Sequence, residues 1–409
     1  MSQTQKLIAF IIVGLVIGIG VGWVVYPTLN PPLPLADYVK KTVYDALNTE
    51  LTNTKSALTQ AQTDKTTVQG QLTTVQGQLT KAQTDLTTAQ AQITKLTSPK
   101  KIALVLATGG LGDKSFNDIS YAGLTKAKSE LGITFEYVQP TAIAEYEGYQ
   151  RGYAKTGDYA LIVCIGFDQA DALAKVATEY PNQKFAIVDM VVDKPNVASL
   201  TFRANEGSFL VGVAAAMSST TGKVGFVGGM DIPLIRDFFV GYQAGAKWAV
   251  PTITVLDPVF VGDWGDPTKG KELAVSLIDL GADAIYAAGG KSGLGALQAV
   301  HEKGVHGYGV DACQCYLYPE IQVSATKRTD LAVYQMVMNT LLGTFKGGIY
   351  NGGIKEGWTG CCRLPEEEAF WEATFSFKHN ALPTAVMDKI LQAQDKIVMG
   401  LITVPSGYS

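Results

Sequence analysis

The stretch KIALVLATGGLGDKSFND, residues 101–118, decides the fold. Its first part, KIALVLA, is an almost continuous apolar run, which is the pattern of a parallel strand buried on both faces. A glycine-rich turn follows, and the polar group DKSFND then leads into a helical pattern, YAGLTKAKSELG. This order of strand, turn and helix predicts the first half of a βαβ unit.

The same alternation continues through the rest of the chain. Helical patterns such as DQADALAKVATEY and KGKELAVSLIDLG separate further apolar runs. Strands that alternate with helices predict doubly wound parallel sheets, and a segment that extends from residue 99 to residue 409 is too long for one sheet. We therefore expect an α/β domain with two lobes. The further runs are ALIVCIGF (160–167), FAIVDM (185–190), VASLTF (197–202), KVGFVGG (223–229), AIYAAGG (284–290) and GYGVD (307–311).

Polar and aromatic residues follow the predicted strands at corresponding places. Examples are Phe167, Asp189, Gly289 and Asp311. In sheets of this kind, ligands bind beyond the carboxyl ends of the strands. Glycine alone ends many strands for backbone reasons, but the recurring set predicts one polar cleft with aromatic walls.

The composition excludes several functions. The 409 residues carry a net charge of −4, which does not favour binding to nucleic acid. Three histidines have no nucleophile at a recognisable spacing, and the motifs GxSxG, HExxH and Walker A are absent. The glycine-rich turn GGLG lacks the GK[ST] ending of a phosphate loop. We expect no enzyme, no cofactor and no metal.

Residues 7–26, LIAFIIVGLVIGIGVGWVVY, predict a transmembrane anchor within residues 1–33. About 20 uncharged residues suffice to span a bilayer, and Trp23 and Tyr26 suit its interface. A cleaved signal peptide is the alternative, but its apolar core is normally shorter. Lys6 precedes the run and the next basic residue is Lys40, so we expect a single pass, a cytoplasmic N-terminus and an extracellular remainder in the cell membrane.

Residues 34–98 predict a coiled-coil stalk. Apolar residues from Leu58 to Leu96 alternate in steps of three and four, which is a heptad pattern. A disordered Thr/Gln-rich linker is the alternative, but disorder gives no reason for such a period. Because every copy would be anchored at the same end, we expect parallel strands and a homo-oligomer of undetermined number.

The motif order of residues 100–345 resembles the basic membrane protein family. The resemblance rests on DKSFND, EGSFLVGVAAA, WGDP, GVD and SATKRTDLAVY. Members of this family are substrate-binding proteins of ABC transporters, of the purine nucleoside receptor type. The resemblance implies a type I periplasmic-binding-protein fold with two Rossmann-like lobes. We expect residues 99–204 plus 313–328 in the N-terminal lobe and residues 205–312 plus 329–409 in the C-terminal lobe.

The resemblance also implies roles for individual residues. Phe116 would stack on a nucleoside base, and Trp264, Tyr286 or Phe167 would cover its other face. Asn117 and Asp189 would read the base edge. Asp311 would accept hydrogen bonds from the ribose hydroxyls, with Lys327 beside it. The remaining expected ligand-binding residues are Asp113, Ser115 and Gly289.

Each of these roles has a structural alternative. Asp113 and Ser115 could cap the helix that follows them and make no contact with a ligand. Asp189 could anchor a loop, Asp311 and Lys327 could form a hinge salt bridge, and Phe116 and Trp264 could be packing residues.

The sequence GVDACQC departs from the family, whose members commonly carry a second aspartate where Cys313 stands. Cys315 follows two residues later, and Cys361 and Cys362 lie in GWTGCC. Because disulfides persist outside the cytoplasm, we expect one or two bridges among these four cysteines. A metal site is the alternative, although the spacing differs from the usual CxxC pairs. Cys164 is expected to be a buried apolar thiol.

These features predict a membrane-tethered extracytoplasmic protein that delivers a nucleoside, or a similar small molecule, to an ABC transporter permease. A second hypothesis is a surface-assembly protein that reuses the binding fold and oligomerises through its stalk. A third is a sensor, which would need a partner for cytoplasmic output.

Overall fold

The computed structural model describes residues 41–94 and 100–408, which form two separate units. The first unit is a single helix, α1 (Lys41–Thr94), with 54 residues. Its threonine hydroxyls repeatedly donate to the carbonyl four residues earlier, as Thr73 does to Gln69 and Thr80 to Gln76. These bonds satisfy polar groups on a helix that is poor in charged residues. The helix of the predicted stalk is present, and its assembly into a coiled coil stays a prediction.

Within residues 41–94 and 100–408, none of the helices has both the length and the hydropathy that crossing a bilayer requires. The run at 7–26, on which the predicted anchor rests, lies outside these residues.

The second unit contains two sheets. The first sheet has six strands in the order β12-β5-β4-β3-β1-β2, and all of its pairings are parallel. Its core strands are buried on both faces, as their apolar sequences require. The strands are β1 (Lys101–Val105), β2 (Thr134–Val138), β3 (Tyr159–Ile165), β4 (Phe185–Val188), β5 (Val197–Phe202) and β12 (Gly348–Gly352).

The second sheet has seven strands. Its order is β13-β11-β10-β9-β6-β7, with β8 paired to β6. All pairings are parallel except that of β13 with β11. The strands are β6 (Lys223–Gly228), β7 (Thr254–Val255), β8 (Val259–Phe260), β9 (Ala284–Ala288), β10 (His306–Asp311), β11 (Ile321–Lys327) and β13 (Thr359–Cys361).

Helices connect the strands and cover the sheets. The helices around the first sheet are α2 (Phe116–Leu131), α3 (Tyr146–Thr156), α4 (Ala170–Glu179) and α9 (Thr329–Leu341). Those associated with the second are α5 (Ala204–Ser218), α6 (Pro233–Ala249), α7 (Pro267–Asp279), α8 (Gly290–Lys303), α10 (Pro365–Phe375) and α11 (Thr384–Val398). Two short 3₁₀ helices lie at Ile143–Glu145 and Phe167–Gln169.

Helices α5 and α6 pack with their backbones in contact. A Cβ atom at Gly212 would lie 2.0 Å from the carbonyl oxygen of Tyr242, and one at Gly245 would lie 2.0 Å from that of Phe209. Glycine is therefore required at both positions, which lie in the stretches EGSFLVGVAAA and GYQAG.

Two lobe boundaries differ from the prediction. Residues 313–328 were expected in the first lobe, but β11 pairs with β10 in the second sheet. Residues 329–352 were expected in the second lobe, but β12 pairs with β5 and α9 buries Val333 and Met336 in the first core. The chain crosses between the lobes near Lys327 and again between β12 and β13, because β11 completes the second sheet before α9 covers the first. After β12, Trp358 packs in the core of the first lobe, whereas β13 pairs in the second sheet and Ile390 of α11 lies in the core of the second lobe.

Candidate functional site

Asp113 organises the turn after β1. Its Oδ2 accepts hydrogen bonds from the backbone nitrogen of Asn117 at 2.8 Å and from the Asn117 side chain at 3.1 Å. Its Oδ1 accepts from the backbone nitrogens of Ser115 and Asp118. Burial raises the pKa of Asp113, and these backbone donors oppose the shift. Asp113 thus satisfies the amides at the start of α2, as its structural alternative predicted, and it also borders the cavity described below.

Both the oxygen and the nitrogen of the Asn117 side-chain amide form hydrogen bonds within the protein. Its Oδ1 accepts from the backbone nitrogen of Ala107 at 2.9 Å, while its nitrogen donates to Asp113. Asn117 therefore fixes the end of β1 against α2. This arrangement positions Phe116, the first residue of α2, whose ring lines the cavity.

Ser115 does not line the cavity but connects the lobes. Its hydroxyl donates to Oδ2 of Asp311 at the end of β10. Asp311 is 6% exposed, and burial raises its pKa to about 6, while Lys327 and the Ser115 hydroxyl oppose the shift. The polar loop of the first lobe therefore holds the strand end of the second.

Asp189 and Asp311 share an uncommon backbone conformation. Their φ angles are 73° and 63°, in the left-handed region that non-glycine residues rarely occupy. Such strain costs on the order of 1–3 kcal/mol and concentrates at functional sites. Asp189 directly follows β4 and Asp311 is the last residue of β10, and both residues border the cavity described below.

Lys327 forms a buried ion pair with Asp189. Its Nζ lies 2.5 Å from Asp189 Oδ2, and the two side chains are 3% and 4% exposed. Burial raises the pKa of Asp189, and the ammonium of Lys327 opposes the shift. The second oxygen, Oδ1, is buried without a hydrogen-bond partner. A buried acceptor of this kind is costly unless a ligand satisfies it.

Three aromatic rings surround the ammonium of Lys327. Its Nζ lies 4.9 Å from the ring centroid of Phe116, 5.3 Å from that of Phe202 and 5.5 Å from that of Phe238. These distances suit cation–π contacts. The ammonium of Lys327 therefore contacts both the aromatic rings and the carboxylate of Asp189.

Trp264 forms the opposite wall. A Cβ atom at Gly229 would lie 2.3 Å from the indole, so only glycine admits the ring over the end of β6. The backbone nitrogen of Ser292, in α8, donates to the Trp264 carbonyl at 3.0 Å, and its hydroxyl donates to the Asp263 carbonyl at 2.7 Å. The loop that carries Trp264 is therefore fixed to the start of α8.

These groups enclose one cavity between the two sheets. Its empty volume is about 660 Å³, part of it open to solvent. The lining residues include Asp113, Phe116, Asn117, Phe167, Asp168, Asp189, Leu234, Ile235, Phe238, Trp264, Lys291, Asp311 and Lys327.

The structure brings eight of the eleven candidate residues to this cavity, and three lie elsewhere. Tyr286 is fully buried in the core of the second lobe, where its hydroxyl lies 3.1 Å from that of Ser208, because the residue is inside β9 rather than after it. Gly289 is not a lining residue and lies beside Gly229. Ser115 acts through Asp311. The eight are Asp113, Phe116, Asn117, Phe167, Asp189, Trp264, Asp311 and Lys327.

Sequence reasoning missed three lining residues with useful chemistry. Asp168 follows Phe167 after β3 and accepts a hydrogen bond from the Tyr146 hydroxyl at 3.0 Å. Lys291 follows the glycine pair after β9. Asp168 and Lys291 both lie just after a strand, and this position could have indicated them as candidates. Phe238 lies inside α6, where the strand-end pattern does not indicate it.

The predicted disulfides are not formed. All five cysteines are free thiols in the structure. Cys361 and Cys362 are successive residues at the end of β13, so their side chains point to opposite faces. Cys361 packs in the core of the second lobe, whereas Cys362 lies with Cys313 and Cys315. Cys164 is a buried apolar thiol in β3, as expected.

Comparisons with known proteins support the resemblance. The chain is 34% identical over 317 residues to an uncharacterized lipoprotein of Pyrococcus horikoshii, and the matched region covers 73% of this chain and 78% of the relative. It is 36% identical over 275 residues to basic membrane protein A1 of Borrelia garinii, which covers 65% and 80%.

A solved structure and a family model extend this result to the fold. An ABC transporter solute-binding protein from Aeropyrum pernix superposes with a TM-score of 0.68 at 30% identity, over 75% of this chain and 94% of that chain. The expected periplasmic-binding-protein-like α/β fold with parallel sheets is thereby confirmed. A model of the Bmp family, described as ABC transporter substrate-binding protein PnrA-like, matches residues 100–407. The chain therefore belongs to the Bmp family of ABC transporter substrate-binding proteins.

Proposed function

We propose that this protein binds a nucleoside, with a purine preferred, and delivers it to an ABC transporter permease from a membrane tether. One observation carries the proposal: Phe116, Asp189, Asp311 and Lys327 border the same cavity. This set combines a flat apolar wall with buried carboxylates, which matches a ligand with an aromatic face and several hydroxyl or N–H donors.

The base is proposed to lie between Phe116 and Trp264. Stacking on an aromatic ring contributes roughly 1–3 kcal/mol per base and tolerates different bases. Phe167 also lines the cavity and offers a further aromatic surface for the base. The base would make N–H contacts with the unsatisfied Oδ1 of Asp189, and Asp168 supplies a second carboxylate at the cavity wall.

The ribose is proposed to bind at Asp311. A carboxylate with two oxygens can accept from the two neighbouring hydroxyls of a diol. Lys327 would donate to ribose oxygens and balance the negative charge of the two aspartates. The GVDACQC motif keeps Asp311, and Cys313 stands where the family resemblance leads us to expect a second aspartate.

The tether and stalk are part of the proposal. Relatives such as the Pyrococcus protein are named lipoproteins, and in this chain the run at 7–26 would take the place of a lipid. The 54 residues of α1 would extend about 80 Å at 1.5 Å per residue. A parallel coiled coil would hold several binding domains near the permease.

The experiment uses the full-length chain purified in detergent. Native mass spectrometry would identify a co-purifying small molecule, and isothermal titration calorimetry would compare inosine, adenosine, guanosine, uridine, ribose and glucose. We expect binding of purine nucleosides that is lost in Phe116→Ala and Asp311→Ala. Binding of ribose or glucose without any nucleoside would contradict the nucleoside proposal and leave the solute-binding family unchanged.

A further inference from the structure

Three separate segments of the second lobe bring metal-ligand side chains together. Cys313 and Cys315 lie in the loop after β10, Cys362 directly follows β13, and His379 follows α10. Their Sγ and Nε2 or Nδ1 atoms all lie within 4.8 Å of one another. The cluster does not border the ligand cavity, and the nucleoside proposal does not use it.

The distances within this cluster fit a tetrahedral metal site. The Sγ atoms of Cys315 and Cys362 are 3.6 Å apart, and Sγ of Cys313 lies 3.3 Å from Nε2 of His379. With Zn–S bonds of about 2.3 Å and Zn–N bonds of about 2.0 Å, a tetrahedron has S···S edges of about 3.8 Å and S···N edges of about 3.5 Å. The observed separations are close to these edges, whereas a disulfide requires about 2.05 Å.

The surroundings of the cluster orient its ligands. His379 directs Nε2 towards Cys313, while its Nδ1 lies 3.3 Å from Oε1 of Glu372. A carboxylate behind a metal-binding histidine fixes the tautomer and ring orientation in many metal sites. The backbone nitrogen of Ser324 donates to Sγ of Cys362 at 3.2 Å, and such donors stabilise a thiolate.

The burial of these four side chains also fits a metal site. Cys313 and Cys362 are fully buried, Cys315 is half-buried, and the His379 side chain is 1% exposed. Three thiols and an imidazole from distant segments have little reason to converge for packing alone. Structural zinc sites are closed by four protein ligands in this way.

We propose that Cys313, Cys315, Cys362 and His379 bind one Zn²⁺ ion in a structural site. On binding, each thiol releases its proton to solvent, so that three thiolates and a neutral imidazole coordinate the cation. The C-x-C spacing at 313–315 differs from common zinc motifs, which is why the sequence alone favoured disulfides. The metal would cross-link the loop after Asp311 to the segment that contains α10.

A second group of side chains competes for His379. Glu368 and Glu372 lie near its Nδ1 and could form a site of oxygen ligands. Both carboxylates already have cationic partners, however: Arg363 lies 3.2 Å from Glu368, and Lys378 pairs with Glu372. The sulfur ligands are therefore the better site, and they select a soft or borderline cation over Mg²⁺ or Ca²⁺.

The test is metal analysis of the full-length chain, purified in detergent with zinc in the growth medium and without chelators. We expect about one zinc per chain by inductively coupled plasma mass spectrometry. The zinc X-ray absorption spectrum of the wild-type protein should show sulfur and nitrogen neighbours in a ratio of about three to one. This measurement does not depend on the folding of any variant.

Variants then locate the site. Cys362→Ser and His379→Ala should lower the zinc content at least about tenfold, whereas His379→Cys should retain it because Cys₄ sites also bind zinc. Cys361→Ala is the matched control, since Cys361 is the sequence neighbour of Cys362 on the opposite face, and Cys164→Ala is a second control in the other lobe. Both should keep the metal.

Three results would overturn the proposal. The first is wild-type protein that contains no zinc after incubation with excess zinc under reducing conditions. The second is a peptide map with a Cys315–Cys362 disulfide in freshly purified protein. The third is zinc with only oxygen and nitrogen neighbours, which would place the ion at the carboxylate group instead.

Discussion

Lys327, the last residue of a strand in the second sheet, forms a 2.5 Å buried ion pair with Asp189 beyond the end of a strand in the first. The pair joins the two lobes, and both residues border the ligand cavity. One carboxylate oxygen of Asp189 remains without a partner. The ion pair therefore connects the lobes, and it also leaves one oxygen of Asp189 free to accept a hydrogen bond from a solute.

Removing the cation of this pair should destabilise the protein. In Lys327→Met, the carboxylate of Asp189 is left buried without its counter-charge, and such a loss costs about 3–5 kcal/mol. Chemical denaturation of the full-length chain would measure the change. The double variant Lys327→Met/Asp189→Asn should recover part of the loss, because it removes the remaining charge.

Lys291→Met is the matched control for this prediction. Lys291 lines the same cavity but is half-buried and lies at the start of α8. Its replacement should change the free energy of unfolding by less than about 1 kcal/mol. Equal losses in the two variants would show that the lobes do not depend on the ion pair.

Stacking predicts a selective loss of affinity in Phe116→Ala. Removing one base-stacking ring should weaken nucleoside binding by roughly 1–3 kcal/mol, or about 5- to 150-fold. Calorimetry with inosine would measure it. Phe135→Leu is the control, because Phe135 packs on the core of the same lobe away from the cavity. If Phe116→Ala binds as tightly as the control, the ring does not stack on the ligand.

Asp311 should be the residue that distinguishes ribose from a sugar that lacks the 2′- and 3′-hydroxyls. Wild-type protein should bind inosine more tightly than 2′,3′-dideoxyinosine, since hydrogen bonds to a charged group contribute roughly 1.5–3 kcal/mol. Asp311→Asn should lower the affinity for inosine and remove most of this preference. A variant that keeps the full preference would assign recognition of the hydroxyls to other residues.

Much of the fold could be predicted because buried parallel strands have a distinctive sequence. The runs at β1, β3, β4 and β5 are apolar along their length, and the structure places a strand at each. Strand β2, TFEYV, was not predicted because it is an exposed edge strand without an apolar run. Strand β12, GIYNG, pairs with β5, about 150 residues away along the chain, and no local pattern indicates such a partner.

The candidate site was predictable where side chains follow strand ends. Phe167, Asp189 and Asp311 all occupy that place and all border the cavity. Tyr286 shows the limit of this rule, since a shift of a few residues back into a strand moves a side chain from the cleft to the core. The hydrogen bonds of the Asn117 side chain to the Ala107 backbone and to the Asp113 carboxylate depend on the path of the turn, which sequence patterns do not give.

Glu367 predicts a pH dependence of stability. Burial raises its pKa to about 7, while hydrogen bonds from Trp371 and Thr326 oppose the shift. Because the folded pKa is above the ordinary value of 4.5, its contribution is fully present below that value and is lost as the pH rises through about 7. Relative to Glu367→Gln, the wild-type protein should lose up to roughly 3 kcal/mol across this interval.

Denaturation at several pH values would measure this difference. The control is Glu366→Gln, which changes an exposed neighbour on the same helix and should leave the wild-type pH profile unchanged. A constant difference between wild type and Glu367→Gln across the interval would mean that Glu367 does not titrate there.

The stalk prediction depends on exposed apolar side chains of α1. Leu72 is 48% exposed and Leu79 is 61% exposed in the single helix, and both belong to the predicted heptad seam. If the stalk is a coiled coil, Leu72→Lys/Leu79→Lys places charges in its core and should convert the oligomer to a monomer. Sedimentation equilibrium of the full-length chain in density-matched detergent would measure the mass. The control is Thr73→Lys/Thr80→Lys. Each of these threonines follows a seam leucine by one residue and lies on the outer face of the helix, so this double variant should remain an oligomer. A wild-type monomer, or equal dissociation of both double variants, would contradict the coiled coil.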